Sequence, residues 1–219
     1  MNENVLTIDG GEAISAELVS RVEQACDRVT GPDTAGHLEL RVAGVPQASP
    51  HGLGVTMVSR WEKALRRLER LPVPTIAVAE GDCGGTALEA LLAADYRVAA
   101  PSVRLIMPLS SGATWPGMAV YRLANQGRNS ALIRRAVLFG EPIGAEAAEA
   151  ADLIDEVAED PAAAVALAVD WTTGLAGAEM AVRRQLLLEA TSASYEESLG
   201  AHLAACDREL RRVAAGVPA

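Results

Sequence analysis

The sequence predicts an α/β fold with a mostly parallel sheet, and three observations carry that prediction. Short strand-like runs alternate with longer segments of helical periodicity. The run Thr75-Ile76-Ala77-Val78-Ala79 lacks polar alternation, as a strand covered on both faces requires. Gly81, Gly84 and Gly85 then separate that strand from Ala87-Leu88-Glu89-Ala90-Leu91-Leu92, giving the order strand, glycine turn, helix.

Each element follows from its residues. Val5-Leu6-Thr7-Ile8 reads as a first strand, ended by Asp9-Gly10-Gly11. Ile14, Leu18, Val22, Cys26 and Val29 then share one face of a helix. Leu38-Glu39-Leu40-Arg41-Val42 alternates as a strand, and residues 45–54, rich in Pro, Gly and Ser, form a loop. A second amphipathic helix carries the stripe Val58, Trp61, Leu65, Leu68 and Leu71, with Lys63, Arg66, Arg67 and Arg70 on its wet side; Pro72 and Pro74 end it. Tyr96-Arg97-Val98-Ala99 and Arg104-Leu105-Ile106-Met107 read as two more strands, and helices fill most of the remainder. Tyr195, Leu199, Leu203, Cys206, Leu210 and Val213 recur at helical spacing, a wide apolar stripe for a terminal helix.

Bulk properties exclude several function classes. The chain has 219 residues, half of them hydrophobic, enough for one large domain with a continuous core. A formal net charge of −10 argues against a nucleic-acid or anionic-membrane surface, because phosphate binding needs a clustered positive field. Cys26, Cys83 and Cys206 lie far apart without metal-ligand spacing, so neither a disulfide framework nor a zinc site is expected, and no metal is. Met1-Asn2-Glu3-Asn4 lacks the charged and apolar regions of a signal peptide, and no run approaches the length of a membrane span. A cytoplasmic protein is expected.

In α/β folds ligands gather where turns leave the C-terminal ends of parallel strands, which points to the segment from Gly81 to Glu89. The turn is neither G-x-G-x-x-G nor a P-loop. Its surroundings resemble a known family. Residues 72–89, from Pro72-Val73-Pro74 through Ala79-Glu80-Gly81 to Leu88-Glu89, are similar to the crotonase (enoyl-CoA hydratase/isomerase) segment in which K-P-V-I-A-A-V-N-G precedes a glycine-rich turn and a helix with a catalytic glutamate. Asp95-Tyr96-Arg97-Val98-Ala99 resembles the C-D-I-R-I-A strand that follows. Phe139-Gly140-Glu141-Pro142-Ile143-Gly144-Ala145-Glu146 resembles T-G-E-P-I-S-A-E, and Asp152-Leu153-Ile154-Asp155-Glu156-Val157 resembles G-L-V-D-E-V. The likeness runs in order from Ile8 to about Ala158.

The resemblance implies a crotonase-like spiral of ββα units over residues 1–160, with a C-terminal helical region over 161–219 packed on the core or on a neighbouring subunit. It implies an acyl or polyketide thioester of coenzyme A as ligand, with coenzyme A part of the substrate and no separate cofactor, and a homotrimer or hexamer. Carried over by position, Glu89 is the catalytic carboxylate. The oxyanion-hole donors are the N–H groups of Thr86, or its neighbour Gly85, and of Ser49, in a loop where the family's F-x-A-G-x-D does not survive. Gly84, Gly85, Leu109 and Trp115 fall at substrate-binding positions, and Leu109 stands where hydratases carry a second glutamate. Hydration uses two carboxylates, so hydration is expected to be weak and elimination of water the easier reaction. Cys83 as a protease-like nucleophile has no histidine at pairing distance in sequence and reads as a core thiol. His51 in the loop is a ligand contact or a surface histidine, and Arg97 and Arg104 stay open as partners of coenzyme A phosphates.

Within the superfamily, the short length, the degraded first loop and the leucine at 109 resemble the hydratase-like components of dihydroxyphenylglycine biosynthesis. That resemblance implies work beside a type III polyketide synthase, by either of two routes. The chain is a dehydratase that uses Glu89, or it is a catalytically weak accessory subunit that stimulates the synthase by contact.

Overall fold

A computed structural model describes residues 4–30, 36–47, 53–110, 113–114, 117–175, 177–190 and 193–214. Its first two strands, β1 (Val5–Asp9) and β2 (Leu38–Gly44), pair in parallel and turn Leu6, Ile8, Leu38, Leu40 and Val42 inward. Between them α1 (Ala16–Arg28) begins at Ser15, whose hydroxyl accepts the Leu18 N–H, and buries Leu18, Val19, Val22 and Cys26. α2 (Val55–Leu68) buries Trp61, Ala64, Leu65 and Leu68. It stops short of Leu71, which is nonetheless buried, because Pro72 and Pro74 cannot continue a helix.

β3 (Thr75–Gly84) is the middle strand, parallel to β2 on one side and to β4 (Tyr96–Ala99) on the other. It runs five residues past the apolar segment that predicts it, because Cys83 and Gly84 pair with β5 (Arg104–Ile106) after the strand has left β4. α3 (Gly85–Leu92) follows at once. The short strands β6 (Leu109–Ser110) and β7 (Ala113–Thr114) form an antiparallel pair, and α4 (Ala119–Gln126) and α5 (Ser130–Phe139) come next. β8 (Ile143–Gly144) pairs antiparallel with β5, α6 (Ala145–Ala150) follows, and β9 (Glu156–Val157) extends the sheet beyond β4.

The sheet is covered on both faces where β3 and β4 run together. Ala77, Ala79 and Ala99 face the larger core with Leu88 and Leu91, whereas Ile76, Val78 and Val98 face Ala164, Val165 and Ala168 of α7 (Pro161–Thr172). The Trp171 ring meets Tyr96 edge-on at 5.5 Å between centroids. α8 (Ala178–Ala190) is tied down by Arg184, which is 5% exposed, pairs with Asp95 and donates to the Val73 carbonyl at 3.0 Å. α9 (Tyr195–Ala214) packs on α8 and leaves Tyr195, Leu199, Leu203 and Leu210 exposed, so the terminal stripe is not an intrachain core face. No described helix is long and apolar enough to cross a membrane.

Candidate active site

The glycine turn between β3 and α3 is a close-packed junction. Gly85 has φ +54°, and a Cβ there would lie 2.5 Å from Pro46 Cγ and 3.0 Å from the Gly10 carbonyl oxygen. A Cβ on Gly84 would come within 2.8 Å of the Ile106 carbonyl oxygen. Both positions therefore need glycine, Gly85 for its left-handed backbone and for space, Gly84 for space alone. Thr86 is buried and its hydroxyl donates to the Asp9 carbonyl at 3.2 Å. Its N–H lies in the first turn of α3, where the helix offers no acceptor of its own.

Glu89 lies three residues further along α3, on the same side of the helix as Thr86. It is 5% exposed. The Trp61 indole Nε1–H donates to its Oε2 at 2.6 Å. Gly117, at φ +45°, makes room for the group, because a Cβ there would overlap Oε1 of Glu89.

Around this carboxylate a small polar cluster closes between α2, α3 and α4. Arg122, 6% exposed, donates from Nε to Glu69 Oε1 at 2.7 Å and from Nη1 to Glu62 Oε2 at 3.3 Å. Glu69 also accepts from Arg66 at 2.9 Å. Burial first, and then the charge of Glu62, push the Glu89 carboxyl up from its ordinary value of 4.5 to about 7, against the Trp61 hydrogen bond, Arg122 and the Met118 N–H. Glu62 is also raised, first by burial, in spite of Arg122. A carboxyl group that titrates near neutral pH can both take and return a proton.

The structure thus brings Gly84, Gly85, Thr86 and Glu89 together on one turn. Leu109 sits on β6, 48% exposed, against Gly140 at the end of α5. Ser49, His51 and Trp115 lie outside the described residues. Cys83 is fully buried with its thiol raised by desolvation, the environment of an inert core thiol. Neither candidate for the phosphates of coenzyme A is a free cation. Arg97 is half-buried and donates to the carbonyls of Leu92, Ala94 and Leu153, and Arg104 pairs with Asp82 at 2.5 Å. Sequence reasoning missed Glu62, Gly117, Met118 and Arg122, and took Trp61 for a core residue alone. The one available signal was that a buried indole N–H needs an acceptor.

Residues 53–213 match the family model described as Enoyl-CoA hydratase/isomerase. A protein of Amycolatopsis orientalis called an enoyl-CoA hydratase is 49% identical over 213 residues, covering 97% of this chain and 98% of that protein. The chain belongs to the enoyl-CoA hydratase/isomerase family. Solved structures agree on the fold. An enoyl-CoA hydratase from Polaromonas sp. JS666 aligns with TM-score 0.78 at 22% identity, over 97% of this chain and 90% of that one. An enoyl-CoA hydratase/isomerase family protein from Silicibacter pomeroyi aligns with TM-score 0.76 at 22% identity, over 96% of each chain. Membership gives the glycine turn and Glu89 an enoyl-CoA hydratase-like setting within a shared fold.

Proposed function

We propose that the chain is a dehydratase of the enoyl-CoA hydratase type, in which Glu89 moves the proton. The observation that carries this reading is a carboxyl group 5% exposed and raised to about 7, one helical turn past a glycine turn. Its substrate is a β-hydroxy acyl or polyketide thioester of coenzyme A, free or enzyme-bound. The Glu89 carboxylate removes the α-proton, and the electron pair moves toward the thioester oxygen. The N–H of Thr86 meets the charge that develops there, with the N–H of Ser49 as second donor; each such donor is worth about 3 kcal/mol in the transition state. The enolate then expels the β-hydroxyl, which takes the proton back from Glu89 and leaves as water. One carboxylate suffices for this sequence, in keeping with Leu109 at the position of the second glutamate.

The product class we favour is 3,5-dihydroxyphenylacetyl-CoA in antibiotic biosynthesis, where loss of water makes the ring aromatic and so drives the elimination. In this reading the chain works in the cytoplasm as a trimer or hexamer beside a type III polyketide synthase. A second reading, an accessory subunit that stimulates the synthase by contact, is favoured by the same Leu109, because contact needs no second carboxylate. The experiment compares formation of the aromatic thioester by the synthase with wild-type protein, with Glu89→Gln and with neither. A variant that binds the synthase yet gives only the unassisted yield supports the dehydratase. Full stimulation by the variant removes it in favour of the accessory subunit.

A further inference from the structure

The two oxygens of the Glu89 carboxyl have different surroundings. Oε2 accepts from the Trp61 indole Nε1–H at 2.6 Å, and both side chains are buried, Trp61 fully. Oε1 lies against Gly117, whose missing side chain gives it room, since a Cβ there would overlap it. The helix that carries the indole is braced against the helix that follows Gly117. Arg122, on α4, donates from Nε to Glu69 Oε1 at 2.7 Å and from Nη1 to Glu62 Oε2 at 3.3 Å. Glu62 adjoins Trp61 on α2, and Glu69 caps the end of that helix.

We infer that Trp61 is a positioning residue for the reaction: its N–H reserves Oε2 as an acceptor, so that Oε1, the oxygen beside Gly117, takes and returns the proton. An indole N–H only donates, so the oxygen that it meets must accept in either charge state of the carboxyl. A proton on Oε2 would point at that N–H or displace it, and a buried indole N–H left without an acceptor costs free energy. The same bond fixes the rotation of the carboxyl group, which a proton transfer to or from carbon needs held in one direction. This inference rests on the assignment of the proton-moving role to Glu89.

Trp61→Phe keeps an aromatic ring in the core and removes the donor. A hydrogen bond to the charged form favours that form, so its loss is expected to move the pH inflection of kcat/KM upward by about one unit. With the carboxyl no longer held, kcat and kcat/KM fall together by roughly 10–100-fold while KM stays in place. The charges nearest the carboxyl, Glu62 and Arg122, are the same in wild type and variant. Leu65→Ala loosens the buried face of the same helix but retains the N–H, and water admitted to Glu89 moves the inflection down or leaves it. An inflection unmoved or lowered in Trp61→Phe therefore overturns the inference. If that variant does not fold, the Trp61 indole N–H resonance of the native chain decides, assigned through Trp115→Phe and Trp171→Phe. It is expected to titrate near pH 7 and to lose that titration in Glu89→Gln; a resonance indifferent to both overturns the inference. The two proposals fail separately. A Glu89-dependent indole signal without Glu89-dependent chemistry removes the dehydratase reading alone, and chemistry that needs Glu89 but keeps its inflection in Trp61→Phe removes only the role of Trp61.

Discussion

At the scale of single residues, Glu89 ties stability to catalysis through one proton. Its carboxyl is raised from 4.5 to about 7 on folding, so the folded state holds the proton more tightly than the unfolded chain. Below about pH 4.5 both states are protonated and nothing is lost; as pH rises toward 7 the native carboxyl becomes progressively unfavourable, levelling at roughly 3 kcal/mol. Glu89→Gln removes that penalty while its amide oxygen can still accept from Trp61. Denaturant unfolding is therefore expected to show the variant gaining on wild type by roughly 2–3 kcal/mol between pH 5 and pH 8; a gap that does not widen with pH would contradict the burial account. Gly117→Ala tests the geometry. A Cβ there overlaps Oε1 of Glu89, so the carboxylate must shift, and turnover should fall by about 100-fold even where the variant stays folded. The place of Glu89 on a helix just past the glycine turn was legible in the sequence. Its environment was not, because Trp61 lies 28 residues away and meets it only once α2 has packed on α3.

At the scale of elements, the docking of α8 rests on a few polar contacts. Arg184 carries the pairing with Asp95, and Asp95 also accepts from the Thr75 N–H at 2.8 Å and from its hydroxyl at 2.7 Å. A further tie is the Gly177 N–H to the Pro72 carbonyl at 2.7 Å. Arg184→Ala leaves Asp95 with Thr75 alone, at a cost of about 1–3 kcal/mol. Limited proteolysis should then cut residues 177–190 sooner than in wild type, with the sheet still resistant; unchanged protection of α8 would contradict its role. The main strands and helices were readable because their periodicities are local: β1, β2, β3 and α1 each carry an unbroken apolar pattern. The two-residue strands β8 and β9 were not, since pairing with β5 and β4, rather than any pattern of their own, makes them strands.

At the scale of the whole molecule, the chain presents apolar side chains on its last three helices that a lone subunit leaves in water. Leu167 and Trp171 on α7, Leu187 on α8, and Tyr195, Leu203 and Leu210 on α9 are all more than half exposed. Burying such side chains is worth about 1.5–3 kcal/mol each at full coverage, ample for stable association. Light scattering is expected to give a trimer or hexamer, and a monomer at micromolar concentration would contradict this. Assembly would leave the buried carboxylate cluster of α2, α3 and α4 intact, since those groups are enclosed within one chain. The central claim is that Glu89 moves a proton at the carbon beside a thioester. The most direct measurement is deuterium uptake at the α-carbon of 3,5-dihydroxyphenylacetyl-CoA in heavy water, followed by mass spectrometry. Wild-type protein is expected to speed the exchange well beyond the buffer rate, and Glu89→Gln to slow it by about 10²–10⁴-fold from there. Exchange at the buffer rate with wild type, or equal rates with both proteins, would contradict the account.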